Sequence, residues 1–133
     1  MIDLLIQGCD ILHLKEGETT LDLNQDIAIR EGVIIQVAAA GSINPDNAKE
    51  LLSAKGLLAV PGIANTHAHV PMVLFRGLVE DVTLASWFND YIFPLESNLT
   101  PEDVYWGALL GIAEMIENGI TAVADHYFFM DQV

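Results

Sequence analysis

Two short apolar runs separated by one well-punctuated helix constrain this chain more than any other feature. Gly56-Leu57-Leu58-Ala59-Val60 is unbroken and closed by Pro61-Gly62; Ile120-Thr121-Ala122-Val123-Ala124 resembles it and ends at Asp125-His126. Runs of this length without alternation predict strands covered on both faces. Between them, Thr100-Pro101-Glu102-Asp103 opens a helix. Thr100 suits the N-cap, Pro101 the first helical position, and the two acids the positive end of the helix dipole. Val104, Ala108, Gly111, Ile112 and Met115 recur at helical spacing, and Asn118-Gly119 ends the helix. Strand, helix and strand together predict a βαβ crossover, hence a parallel sheet of α/β class.

The first 55 residues differ in kind. Leu4 to Leu14 is β-rich and ends at the polar turn Lys15-Glu16-Gly17-Glu18. Asp26 to Arg30 alternates, Glu31-Gly32 turns, and Val33 to Val37 runs back, which is a hairpin pattern. Gly41 to Asp46 is a loop, and Ala48 to Ala54 is too short to assign. Downstream, Leu84 to Phe93 predicts a helix stopped by Pro94. No repeat or low-complexity segment is present.

Composition removes several classes of function. With 52% hydrophobic residues the chain is unlike a disordered acidic tail. A formal charge of −14 leaves no basic field for nucleic acid or anionic membranes, so neither is an expected partner. Cys9 is the single cysteine, so no internal disulfide is possible, and its place in an alternating segment makes it a small strand residue. The N-terminus has no basic region before its short apolar run, and no stretch reaches about 18 apolar residues. The expectation is a soluble, cytoplasmic protein.

The chemistry concentrates at His67 and His69. Residues two apart on an extended chain point to the same side, so both imidazoles face one point. Neutral imidazole offers a lone pair to a metal. A bare His-x-His is commonly a surface or capping pair. Its position at the end of a buried strand, where the catalytic residues of α/β barrels gather, favours ligation. Two ligands do not complete a zinc site, so others must come from elsewhere.

Pro61-Gly62-Ile63-Ala64-Asn65-Thr66-His67-Ala68-His69 resembles the signature of the amidohydrolase superfamily. Met72, Leu74, Arg76-Gly77, Asp81, Trp87, Pro94-Leu95-Glu96 and Leu99 to Asp103 follow its 5-methylthioadenosine/S-adenosylhomocysteine deaminase branch. So do Gly111 to Ile116, Gly119 and Tyr127 to Asp131. The resemblance runs from about residue 56 to Val133, and the strand-rich beginning suits that family's β-sandwich domain.

The resemblance implies the start of a metal-dependent (β/α)8 TIM barrel preceded by part of a small β-sandwich. Residues 1–60 would belong to the sandwich and residues 61–133 to the first two or so βα units. His67 and His69 would ligate one divalent metal, zinc first, with iron or manganese as alternatives. Glu96 would accept hydrogen bonds from ribose hydroxyls and Trp87 would line that pocket. The implied reaction is hydrolytic deamination of an adenine nucleoside by metal-activated water, giving the inosyl product and ammonia. The substrate is then a small-molecule nucleoside and the full-length protein a homo-oligomer. The remaining ligands and the general base are expected beyond Val133, so no catalytic acid or base is assigned here.

Each residue also has a plainer reading. Glu96 after Pro94 could be a solvated loop carboxylate, and Trp87 could be core beside Leu84, Phe88 and Ile92. Arg76 is expected to pair with Glu80 or Asp81 rather than touch substrate. His126 departs from the apolar residue of the family pattern and is read as packing or supporting, and His13 as surface. A (β/α)8 barrel needs about 250 residues, about 31 per unit, and Pro61 to Val133 supplies 73. The chain therefore reads as truncated, and the isolated piece is expected to bind metal weakly and to lack activity. Alternatives are a chlorohydrolase or a guanine or cytosine deaminase of the same superfamily, and a non-catalytic fragment or interaction module.

Overall fold

Alternating β-rich segments at the N-terminus form long strands: β1 (Ile2–Lys15), β2 (Glu18–Arg30) and β3 (Val33–Ala39). This computed structural model describes residues 1–133, apart from the side chain of Gln132. The chain divides into two compact units, Met1–Pro61 and Gly62–Val133. In the first, β1, β2 and β3 form an antiparallel meander. The turn from β2 to β3 has Glu31 at φ 54° and Gly32 at φ 75°. Two positive φ angles are what a hairpin turn matched to strand twist requires.

The segment 48–54, unassigned from sequence, is strand β4 (Ala48–Ser53), parallel to the first half of β1. A bulge on β1, centred on Gly8 at φ 73°, interrupts the pairing with β2. An extra residue reverses the inward and outward alternation beyond it. Leu5 accordingly packs with Ile2, Ala28 and Ile43, whereas Cys9 packs with Ile11, Ile27 and Ala54. Ile27 and Ala28 are neighbours on a strand, so the two clusters occupy opposite faces of one sheet. Asp26 is fully buried and accepts hydrogen bonds from Gly8 N at 3.0 Å and Gly41 N at 2.8 Å, which ties the bulge to the loop after β3.

The structure corrects the assignment of the Gly56–Val60 run. Only Leu58–Ala59 is a strand (β5), and it pairs with Asp10 and Ile11 of β1, leaving Leu57, Leu58 and Val60 exposed. The crossover strand is β6 (Ile63–Ala68), after Pro61-Gly62. Its polar residues Asn65, Thr66 and His67 hide it from an apolar-run criterion.

In the second unit β6 pairs in parallel with β7 (Ile120–Asp125), from Ile63 opposite Ile120 to Ala68 opposite Asp125. The connection carries the expected helix, α3 (Pro101–Glu117), with a complete capping box. Thr100 Oγ1 accepts from Asp103 N, and Asp103 Oδ2 accepts from Thr100 N at 2.8 Å. α3 buries Val104, Gly107, Ala108 and Gly111 and packs on the tight 3₁₀ turns Val70–Phe75. Gly107 and Gly111 permit that approach. A Cβ at Gly107 would lie 2.9 Å from Pro71 O, and one at Gly111 would lie 2.6 Å from Val70 Cγ1. The expectation of strands covered on both faces is not met among the described residues. Ile63 and Val123 are exposed, because two strands and one long helix leave a sheet face open.

Helical structure between Leu84 and Glu96 does not stop at Pro94. It runs as α1 (Leu84–Ser86), a wide π-type turn (Trp87–Ile92) and α2 (Phe93–Glu96). Phe93 N donates to Phe88 O, five residues back. The widened turn lies where the ring of Pro94 would otherwise press on the preceding carbonyls, so the helix absorbs the proline instead of ending.

Candidate metal centre and substrate cleft

β6 ends at Ala68, and His69 follows with φ −129° and ψ 71°, so the extended geometry lasts just long enough to bring the two imidazoles together. Their ring centroids are 5.4 Å apart at an interplanar angle of 83°. Rings bound to one ion at about 2.0–2.1 Å per nitrogen and a tetrahedral angle have centres roughly 5 Å apart. The separation of the pair matches that of two rings on one ion.

The end of β7 holds this turn. His69 Nδ1 lies 2.6 Å from the carbonyl oxygen of His126, which can only accept, so Nδ1 carries the proton and Nε2 keeps the lone pair. His126 N donates to Ala68 O at 3.1 Å, and Val70 N donates to Asp125 Oδ1 at 3.0 Å. Asn65 Oδ1 accepts from His67 N at 3.2 Å. Among the described residues no group of three or more His, Cys, Asp or Glu converges to hold a metal. The residues present fit a divalent ion as two donors of a larger set.

A cleft of about 510 Å³ opens beside His69. Trp87, Phe88 and Ile92 from the π-type turn, Phe93 and Glu96 from α2, Met72, and His126 to Phe128 after β7 line it. Trp87 and Glu96, singled out from the sequence, therefore share one cleft with His69; His67 is not among its lining residues. The wall is largely aromatic and apolar, and the Glu96 carboxylate is its acidic side chain. The Tyr127 phenol is pushed above its ordinary range, first by burial and then by the neighbouring Glu96.

Three further residues stand elsewhere than the sequence suggested or gain a defined place. Arg76 does not pair with Glu80 or Asp81. Its guanidinium reaches Glu114 on α3 with two bonds, 3.0 and 2.6 Å, across 38 positions of sequence, a separation at which no local pattern operates. That bidentate contact holds the Glu114 carboxyl below its usual range. His13 is half-exposed and bonded to Asp22 at 2.9 Å. Tyr127 had no role assigned from sequence. Its position two residues past the end of β7 was the available signal.

The sequence profile of the amidohydrolase family matches residues 58–133, more than half of the chain. The chain belongs to the amidohydrolase family. The chain is 45% identical over 130 residues to the 5-methylthioadenosine/S-adenosylhomocysteine deaminase of Carboxydothermus hydrogenoformans, covering 93% of this chain and 30% of that protein. It is 40% identical over 132 residues to the 5′-deoxyadenosine deaminase of Methanosarcina acetivorans, covering 99% and 30%. The zinc-bound adenosine deaminase of Xanthomonas campestris superposes with a TM-score of 0.85 at 31% identity, over 98% of this chain and 30% of that one. The zinc-complexed atrazine chlorohydrolase of Arthrobacter aurescens shares the fold, with a TM-score of 0.81 at 23% identity over 97% and 32%. The chain thus spans about 30% of the length of the curated relatives it matches.

Proposed function

We propose that the protein carrying this sequence is a metal-dependent hydrolytic deaminase of adenine nucleosides. Its substrates would be 5′-modified adenosines such as 5′-methylthioadenosine, S-adenosylhomocysteine or 5′-deoxyadenosine. In this reading Gly62–Val133 begins a (β/α)8 barrel, with β6 and β7 as neighbouring parallel strands, and Met1–Pro61 is part of a small β-sandwich. His67 and His69 hold one divalent metal, zinc first, through nitrogens left free of backbone bonding. When bound, the metal supplies a water nucleophile near neutral pH. The deaminase names and the zinc in similar proteins support the assignment.

The observation that carries the reading is that Glu96 and Trp87 share a cleft with His69. An ionised carboxylate is an acceptor with two oxygens, which matches the two neighbouring hydroxyls of a ribose. The indole and the surrounding Phe88, Phe93 and Met72 offer an apolar wall to the nucleoside and keep water from it. His69, oriented by the His126 carbonyl, stands where the base must be brought to the metal. Two donors do not close a zinc site, so the 133-residue chain by itself would hold metal weakly and turn over no substrate.

The test follows ammonia release and the adenine-to-hypoxanthine absorbance change with these nucleosides, using the full-length protein. Glu96→Ala should raise the nucleoside KM about 10- to 100-fold, the loss expected for hydrogen bonds to a charged group. It should leave metal content unchanged. Equal effects on a nucleoside with its diol and on one without would refute the ribose role. Turnover confined to chlorotriazines or guanine would replace the substrate class.

A further inference from the structure

The nucleoside reading leaves one buried polar atom without an account. Tyr127 Oη is shielded from solvent and makes no well-formed hydrogen bond, alone in this among the described residues. A buried hydroxyl without a partner forfeits its hydration for nothing in return, so such a group in a native site calls for a functional account, and a partner engaged on ligand binding supplies one. Tyr127 lines the same cleft as Glu96, Trp87 and His69. The Glu96 carboxylate lies close enough to act on the phenol, at a geometry short of a formed bond. Burial and that negative neighbour both disfavour the phenolate, so the hydroxyl stays a donor at working pH.

Donor and acceptor are thus complementary: the phenol offers one proton, and the carboxylate can only accept. Glu96 ends the short helix α2, on a flexible side chain that loses rotamer freedom when it grips a diol. Tyr127 lines the same cleft from a different segment, two residues after β7. We propose that Tyr127 is a positioning residue for Glu96: its hydroxyl donates to one carboxylate oxygen as the nucleoside binds, presenting the other to the ribose hydroxyls. This rests on the nucleoside reading above, and it makes Tyr127 a determinant of ribose recognition rather than of the hydrolytic step.

The test uses the full-length, metal-loaded protein with Tyr127→Phe, Glu96→Gln and the double variant. KM and kcat are measured with 5′-deoxyadenosine and with 2′,3′-dideoxyadenosine, which lacks the diol, alongside bound metal. Tyr127→Phe should raise the 5′-deoxyadenosine KM about tenfold, the scale of one hydrogen bond to a charged group. It should leave kcat within about twofold, the metal content intact and the dideoxynucleoside unaffected, and the double variant should be no worse than Glu96→Gln alone. An unchanged KM in Tyr127→Phe, or multiplicative losses in the double variant, overturns the inference while leaving the nucleoside reading in place. A joint fall in kcat and bound metal marks a structural role and also overturns it. A normal KM in Glu96→Gln overturns both.

Discussion

Asp125, which ends β7, and His126, just past it, show how two adjacent residues can act on a turn more than fifty positions away. The Asp125 carboxylate accepts from Val70 N, and the His126 carbonyl receives the His69 ring. Both contacts act on the turn that carries His69 out of β6. In the proposed metal site these contacts would orient a ligand, and groups that orient metal ligands commonly contribute 10- to 100-fold in affinity. Asp125→Ala removes the acceptor for Val70 N and should weaken metal binding about tenfold in the full-length protein, read by competition with a chelating dye. Unaltered affinity would show that the His126 carbonyl alone is sufficient. The approach of the His67 and His69 rings was legible in the sequence because a two-residue spacing has a geometric meaning on extended backbone. The support from Asp125 was not, since nothing local links residue 125 to residue 70.

At the scale of elements, α3 was the most legible part of the chain: Thr100, Pro101 and Asp103 act within one turn and specify the start locally. What the helix packs against is decided by Gly107 and Gly111. A methyl at Gly111 would meet Val70 Cγ1 at 2.6 Å and Val70 O at 3.1 Å. Alanine favours a helix over glycine by about 1 kcal/mol. Val70 is β-branched and anchored through its own N–H to Asp125, so it yields poorly. The clash should therefore win. Gly111→Ala is expected to destabilise by about 1–3 kcal/mol and, by shifting the residue after His69, to lower metal occupancy. Denaturant unfolding with metal analysis checks both, and a stabilised variant would contradict the packing. The misplaced strand has an equally physical origin. Gly56–Val60 is apolar enough for a buried strand, yet the free edge of β1 beyond its bulge takes Leu58–Ala59.

For the whole molecule the dominant quantity is charge, 19 acids against 5 Lys and Arg. Self-repulsion of a net −14 opposes compaction, and salt screens it. Added salt at neutral pH should raise the denaturation midpoint. Acidification acts in two stages. Asp3 is held low by the Lys49 ammonium, Asp103 by the Thr100 hydroxyl and backbone N–H, and Glu114 by Arg76. A carboxyl with a depressed folded value contributes stability above its unfolded value, near pH 4, and loses it as pH falls through the folded value. These three pairs are exposed and few, whereas the repulsion sums over the chain. Stability should therefore rise on mild acidification and fall below about pH 4. A midpoint that declines steadily from pH 7 downward would show that the pairs outweigh the repulsion.

The sequence by itself determined what depends on short-range rules: the hairpin of β2 and β3 with its Glu31-Gly32 turn, the capped α3, the approach of two imidazoles two residues apart, and a family resemblance carried by motif residues. Tertiary structure alone decided what depends on distant neighbours. It chose Ile63–Ala68 over the more apolar run as the crossover strand, gave Arg76 its partner in Glu114, and brought Trp87, Glu96 and Tyr127 into one cleft with His69. Hydrogen-bond geometry along a helix or turn is written within a few residues. A cleft is written by packing between elements, and its contributing segments are separated by the stretches from Met72 to Trp87 and from Glu96 to His126.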